Sequence, residues 1–178
     1  MYLNGLYWGL FQTQERSEAR YAESYFGDNS DDYDVVKRGD SGIEATDGNL
    51  DSWREIWELV EGGFASNDNY YKIQGRSFNG KRDPSLKVLV DIDNLIDYMN
   101  VIFYTGNFDA PVSAFGNNKS VNNFYAIDNR NNPNEGFRFF AHDNEHTLLI
   151  DPIGPGHGIT ENRVNIGSLN NNNRMLVQ

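Results

Sequence analysis

Apolar residues recur at helical spacing most clearly between positions 91 and 105. They fall three or four positions apart, as on one face of an α-helix. Asp91 or Asp93 can cap the start of this helix, and Gly106 can end it. We therefore predict a buried helix over 91–105. Its apolar positions are Ile92, Leu95, Ile96, Met99 and Phe103.

Three further segments have helical patterns. Residues 15–26 carry small and aromatic residues on one side, and Gly27 is placed to end that helix. Ser52 and Glu55 have the spacing of a capping box, which predicts a helix that ends at Gly62. Residues 69–74 favour one or two additional helical turns.

Strand patterns occur in four places. Residues 5–14 alternate aromatic with small or polar side chains, and 35–37 form a short apolar run. Residues 123–127 and 136–141 flank a turn built of asparagine, aspartate and proline, which predicts a β-hairpin. We expect loops between these elements, and also in the tail from position 151.

Composition favours one folded domain. The chain has 178 residues, of which 38% are hydrophobic and 13% aromatic. Its net charge of −11 disfavours nucleic acids and anionic membrane surfaces as partners, although carboxylates do suit divalent cations. No apolar run has the length of a membrane span, and the absence of cysteine excludes disulfides and thiolate chemistry.

Three polar residues flank the predicted helix and hairpin. Asp109 follows the helix at 91–105, Asn123 heads the first hairpin strand, and Asp143 follows the second. Phosphoryl transfer needs a carboxylate for the attacking hydroxyl, and an amide oxygen and a carboxylate for divalent cations. In a chain rich in asparagine and aspartate, the same three residues can instead form turns and caps.

Segments in one order along the chain resemble the CotH family, which includes spore-coat kinases. In the family's terms, 5–15 is similar to "G-x-Y-x-G-x-Y-x-x-x-E" and 26–37 to "F-G … L-Y-K". The later matching segments are Tyr71-Lys-Ile-Gln-Gly-Arg, Leu89-Val-Asp-Ile-Asp-Asn-Leu-Ile-Asp-Tyr-Met, Phe103-Tyr-Thr-Gly-Asn-Phe-Asp, Asn122-Asn-Phe-Tyr-Ala-Ile and His142-Asp-Asn-Glu-His-Thr-Leu.

This resemblance implies an α+β, atypical protein-kinase-like fold in which the β-hairpin carries the metal-site residues. It implies ATP and Mg²⁺ or Mn²⁺ as cofactors, and phosphorylation of Ser/Thr in a protein substrate of the bacterial surface or spore coat. We expect 1–178 to be a single partial domain that is truncated at both ends. The N-terminal strands that cover the nucleotide and the C-terminal helices are expected to be missing.

The resemblance also assigns roles to individual residues. Asp109 matches the catalytic base, and Asn123 matches a metal ligand, with Asn122 as its rival. Asp143 matches the first acid of the family's "W-D-x-D/E" motif and is expected to coordinate the metal. Glu145 matches the second acid of this motif. It is expected either to bind the metal directly or to contact a residue that binds it.

Other positions match the family less closely. Glu15 could correspond to the glutamate that orients an ATP lysine; otherwise it is an exposed acid at a helix start. His142 replaces the family's tryptophan, and we expect it to have a structural role. Lys37 follows Glu15 in the chain, the reverse of the order expected for such a lysine and glutamate.

Two functions stay open from the sequence. The first is a metal-dependent protein kinase, of which this chain holds the half that carries the base and the metal ligands. The alternative is a non-catalytic CotH-like module for surface attachment or assembly. We also expect self-association, because truncation would expose an apolar face of the helix at 91–105.

Overall fold

The computed structural model describes residues 2–9, 14–148 and 163, which form a mixed α+β fold. The strands are β1 (Tyr2–Leu3), β2 (Leu6–Tyr7), β3 (Tyr33–Gly39), β4 (Gly42–Asp47), β5 (Phe124–Asn129) and β6 (Arg138–Ala141). The helices are α1 (Ala19–Phe26), α2 (Asp51–Glu61), α3 (Asn67–Ile73) and α4 (Ile92–Thr105), with a short 3₁₀ turn at Ser30–Asp32.

The larger sheet is antiparallel and has the order β4-β3-β5-β6. Strand β5 lies inside it, and all six of its residues are buried. Tyr125 of β5 pairs with Lys37 of β3 on one side and with Phe140 of β6 on the other. The predicted hairpin of two strands after position 122 is therefore confirmed.

The sheet separates two apolar clusters, because successive strand residues face opposite sides. On one face, aromatic residues of β5 and β6 pack with α2 and α4. Trp53 lies 5.2 Å from Phe137 and 6.2 Å from Phe124, measured between ring centroids. On the other face, Tyr125 and Val35 pack with α1. The main core comprises Val36, Trp53, Ile56, Tyr98, Ile102, Phe124, Ala126, Phe137 and Phe139 among others.

Two buried ion pairs lie at the end of β5 next to the hairpin turn. Lys87 Nζ is 2.6 Å from Asp128 Oδ2, and it also donates to Ser52 Oγ at 2.9 Å. Arg130 Nη1 is 2.6 Å from Asp34 Oδ1, which also accepts the N–H of Asn49. Because Asp34 and Asp128 are register partners across β3 and β5, these pairs tie the sheet to the start of α2.

The predicted helix at 91–105 forms as α4, but its buried face differs in part from the prediction. Asp91 caps its first turn by accepting the N–H of Asn94 at 3.0 Å, and Gly106 ends it with φ of +65°. Tyr98 and Ile102 are buried, whereas Ile96 is 53% exposed. Ile92, Leu95 and Met99 pack against the core as predicted. The predicted positions Ile96 and Phe103 are exposed, because the most buried positions are Tyr98 and Ile102. Apolar residues exposed on α4 are Ile96, Val101, Phe103 and Tyr104; self-association stays a prediction.

The strand predicted over 5–14 forms only in part, as β2 at Leu6–Tyr7, and Trp8, Gly9 and Gln14 lie outside strands. Gly5, with φ of +80°, lies in the turn between β1 and β2, so the segment folds back on itself. Residues 10–13 lie outside the described residues. The predicted helix over 15–26 begins only at Ala19, and it ends at Gly27 as predicted.

Strand β4 was predicted as loop. It is an edge strand with one large apolar residue, Ile43, so its sequence lacks the alternation expected of a buried strand. The helix predicted after Ser52 forms as α2, but the capping box predicted at its start does not form. No side chain caps this helix, and Ser52 Oγ accepts from Lys87 instead.

Two further predictions concern the short helix and the tail. The turns predicted over 69–74 form α3, which Ser66 caps by accepting the N–H of Asp68. The tail predicted as loop lies outside the described residues apart from Arg163. In the described part of the chain, no helix is both long and apolar enough for a membrane crossing.

Candidate functional site

Asp109 lies in the loop that follows α4 and is only 6% exposed. Its N–H donates to Asn107 Oδ1 at 2.9 Å, so the loop turns tightly after Gly106. Asn107 is fully buried, and its Nδ2 donates to Asn144 Oδ1 at 2.8 Å. Asn107 thereby connects the Asp109 loop to the segment that follows β6.

The Asp109 carboxylate accepts three side-chain hydrogen bonds. Ser113 Oγ donates to Oδ1, while Asn122 and Asn123 donate to Oδ2 through Nδ2 at 3.0 and 2.8 Å. These donors orient both carboxylate oxygens from different directions. The Asp109 side chain is therefore held in a fixed orientation by its partners.

Asn123 also reaches the residue after the returning strand. Its Nδ2 lies 3.5 Å from the backbone oxygen of Asp143. Both residues adopt left-handed backbone conformations, with φ of +51° for Asn123 and +54° for Asp143. Asparagine and aspartate are the residues that tolerate this conformation best after glycine. The two ends of the β5–β6 hairpin thus bring Asp109, Asn123 and Asp143 together.

Asp143 and Glu145 form a pair of neighbouring carboxyl groups. A side-chain hydrogen bond to Asp143, together with partial burial, raises the pKa of Glu145 above its ordinary value. The pair presents oxygen atoms of the kind that divalent cations bind.

These residues fit a magnesium or manganese ion in their chemistry. Asn123 uses Nδ2 for its hydrogen bonds to Asp109 and to the backbone oxygen of Asp143, and an amide oxygen is among the ligands that such ions accept. Over residues 2–9, 14–148 and 163, however, no three acidic or histidine side chains are grouped closely enough to hold a metal ion. A site here would therefore require the amide oxygen of Asn123 as well as the carboxyl groups.

His142 precedes Asp143 and packs against Tyr125 of β5. Its ring lies edge-on to the Tyr125 ring, with centroids 5.0 Å apart. Burial lowers the pKa of His142, and the nearby carboxylate of Asp143 opposes this effect. The packing agrees with the structural role expected of His142 at the position of the family's tryptophan.

Among the described residues, no contact connects Glu15 with Asp109, Asn123 or Asp143. Its carboxylate accepts a hydrogen bond from Tyr25 Oη at 2.6 Å, beside α1. Lys37 Nζ instead pairs with Glu44 at 3.6 Å, on the neighbouring strand. The assignment of Glu15 to an ATP lysine stays a prediction.

Two residues that position Asp109 were not predicted from the sequence. Ser113 belongs to an irregular segment with no motif or periodicity to single it out. Asn107 appears in the family-like segment before Asp109, but its side chain could have been a simple turn former. Its burial and its link to Asn144 depend on the returning strand, which is distant in sequence.

The cluster brings a buried, hydrogen-bonded carboxylate close to the end of the β5–β6 hairpin. In comparisons with known proteins, the family described as "CotH kinase protein" matches residues 1–174. No curated protein and no solved structure matches the chain.

Proposed function

The chain belongs to the CotH kinase family, and on this basis we propose that it contains the base and metal-binding half of a protein kinase site. Family membership supports kinase activity in general and a protein as the substrate. The proposed reaction transfers the γ-phosphoryl group of ATP to a serine or threonine hydroxyl of a surface or spore-coat protein.

One observation carries this proposal. Asn123 Nδ2 lies 2.8 Å from Asp109 Oδ2 and 3.5 Å from the backbone oxygen of Asp143. A single amide therefore contacts the carboxylate of a candidate base and the backbone of a candidate metal ligand. Phosphoryl transfer depends mainly on such positioning and on electrostatic stabilisation, because the protein supplies little covalent chemistry.

Asp109 would accept the proton of the attacking hydroxyl. Its Oδ1 already accepts the hydroxyl of Ser113, which supports the idea that this oxygen can receive a hydroxyl donor. A carboxylate oxygen has a second lone pair for the acceptor serine or threonine. Asn122 and Asn123 would hold Oδ2 in place while the proton moves to Oδ1.

Asp143, Glu145 and the amide oxygen of Asn123 would hold Mg²⁺ or Mn²⁺. When bound, the ion would neutralise charge on the phosphates of ATP. Asn122 remains the alternative to Asn123 as the amide ligand of the metal, since both side chains donate to the same Asp109 oxygen. We keep Glu15 as a weaker proposal, for orienting a lysine that contacts ATP.

The proposal predicts that metal and ATP bind together. Calorimetric titration of the chain with MnCl₂ should give a higher affinity for Mn²⁺ when ATP is present than when it is absent. Asp143→Asn should remove this difference, whereas Asp31→Asn at an exposed position should preserve it. Equal titrations with and without ATP would contradict a nucleotide site at this cluster.

Burial of Asp109 favours a second function, the non-catalytic attachment or assembly module. Asp109 is 6% exposed and is covered by its three hydrogen-bond donors, as a purely structural carboxylate would be. A module of this kind could still bind a metal ion. Metal binding that is independent of ATP, without phosphate transfer to any protein, would support it over the kinase.

A further inference from the structure

A polar cavity of about 370 Å³ lies beside Asp109. It opens between the β3–β4 turn and the loop before β5. Ser113 and Asn122 line this cavity, and both donate hydrogen bonds to the Asp109 carboxylate. Two of the three side chains that donate to Asp109 therefore line the cavity, which places the cavity next to the candidate base.

The cavity and the metal candidates lie on opposite sides of β5. The β3–β4 turn is on the β3 side of this strand, whereas Asp143 and Glu145 follow β6 on the other side. Attacking and leaving oxygens are roughly in line during phosphoryl transfer. If the nucleotide lies with the metal at Asp143, the cavity is on the side from which the acceptor approaches.

Arg38 gives this cavity a cationic group. The side chain is half-buried, and its Nη1 donates to the backbone oxygen of Gly42 at 3.1 Å. In the described part of the chain, Arg38 forms no ion pair with a carboxylate, despite the net charge of −11. The remaining N–H groups of its guanidinium can bind an anionic ligand, and carboxylates suit this geometry.

Other lining residues favour a small polar group. The hydroxyl of Ser120 can donate a further hydrogen bond, and Gly116 keeps the wall open. A Cβ atom at Gly116 would lie 3.0 Å from Ser120 Cβ, so a larger residue would crowd Ser120. Asp40 also lines the cavity, but it lies in an exposed turn where water screens its charge more than that of Arg38.

We propose that this cavity binds an acidic side chain of the phosphoacceptor, next to the serine or threonine that Asp109 activates. Arg38 donates to the carboxylate of that side chain, and Ser120 adds a hydroxyl donor. The inference rests on the proposed function, because it assigns the acceptor side of the same site. It predicts a kinase that prefers an acidic residue beside its target hydroxyl.

Peptide binding tests this cavity without requiring catalysis. The chain, labelled with ¹⁵N, is titrated with a serine peptide that carries a neighbouring glutamate, and with the same peptide carrying glutamine. We expect the glutamate peptide to shift the amide signals of Gly39, Gly116 and Ser120 and to bind at least tenfold more tightly. No shift at these residues, or equal affinities for the two peptides, would overturn the assignment.

Matched arginine variants identify the cation responsible. Arg38→Gln should weaken binding of the glutamate peptide at least tenfold. Arg76→Gln is the control, because Arg76 similarly donates to a turn carbonyl, that of Gly80, at 2.9 Å. The affinity of this variant for the glutamate peptide should change less than twofold. If Arg38→Gln unfolds, Ser120→Asp tests the same surface, and it should weaken the glutamate peptide by repulsion. Unchanged binding in Ser120→Asp would overturn the proposal.

The kinase proposal and this inference can fail separately. Binding of the glutamate peptide at the cavity without phosphate transfer would contradict the kinase but support the acidic-group site. Transfer to glutamate and glutamine peptides at equal rates, unaffected by Arg38→Gln, would overturn the cavity assignment and leave the kinase standing. Equal shifts produced by inorganic phosphate at the same concentration would also overturn it, because the cavity would then be a general anion site.

Discussion

Asn123 Nδ2 donates to Asp109 Oδ2 at 2.8 Å and lies 3.5 Å from the backbone oxygen of Asp143. This amide spans the loop after α4 and the end of the β5–β6 hairpin. Because Asp109 is almost fully buried, its carboxylate depends on protein donors, with little access to water. The local fold and the candidate chemistry therefore depend on the same hydrogen bond.

Asn123→Ala should destabilise the fold, because it removes one donor from a buried carboxylate. We expect a loss of about 1–3 kcal/mol in the free energy of unfolding, measured by urea denaturation. Asn131→Ala is a matched control, since the exposed Asn131 donates to Asp32 Oδ1 at 2.7 Å. Its loss should stay within about 0.5 kcal/mol. Equal losses in the two variants would contradict the role of Asn123.

Removal of either acid should weaken metal binding. We expect Asp143→Asn and Glu145→Gln each to lower the affinity for Mn²⁺ at least tenfold, which corresponds to about 1.4 kcal/mol. Each variant removes a charge and a strong oxygen ligand from the pair. Calorimetry against Asp31→Asn, at an exposed position, controls for the overall loss of negative charge. A similar decrease in Asp31→Asn would show only a general charge effect.

Lys87→Met should be strongly destabilising. It would leave Asp128, whose side chain is fully buried, without the cation at 2.6 Å. Removal of one partner from a buried ion pair costs about 3–5 kcal/mol. Lys81→Met, at an exposed position, should change the unfolding free energy by less than about 0.5 kcal/mol. A loss in Lys87→Met no larger than in this control would contradict the network.

Stability should depend on pH through Asp128. Burial raises the pKa of this carboxyl above its ordinary value, against the opposing effect of Lys87. Protonated Asp128 is favoured in the folded state, so the associated stability is present below its unfolded pKa and is lost as pH rises through its folded pKa. The unmodified chain should therefore lose this stability between pH about 4 and about 7, whereas Asp128→Asn has no carboxyl group to titrate there. The free energy of unfolding of the variant minus that of the unmodified chain should increase over this range. A flat or decreasing difference would contradict the raised pKa.

Sequence patterns predicted the elements that have strong local signals. Helix α4 has both an Asp91 cap and a terminal glycine, and the β5–β6 hairpin has apolar strands around a polar turn. Strand β4 was missed because an edge strand needs few apolar residues, and it has only Ile43. The cap of α2 was predicted wrongly because Ser52 accepts a hydrogen bond from Lys87, 35 positions away.

The candidate site was predictable in its composition but not in its hydrogen bonds. Asp109, Asn123 and Asp143 flank elements that the sequence identifies, so their proximity follows from the hairpin. The contribution of Ser113 depends on how an irregular loop folds back onto Asp109, which no periodicity encodes. The sequence also could not reveal that Asn122 and Asn123 donate to the same carboxylate oxygen.

Transfer of radiolabelled γ-phosphate from ATP to serine and threonine peptides tests the central claim most directly. The chain is assayed with Mn²⁺ in a protein that also supplies the nucleotide-covering half of the site, and it is compared with its Asp109→Asn variant and with Asp31→Asn as the exposed control. Loss of a general base typically costs about 10²–10⁴-fold in rate, so Asp109→Asn should be nearly inactive while Asp31→Asn keeps full activity. Transfer by Asp109→Asn at the rate of the unmodified chain would contradict the account, as would a complete absence of transfer by a folded chain that binds Mn²⁺ and ATP.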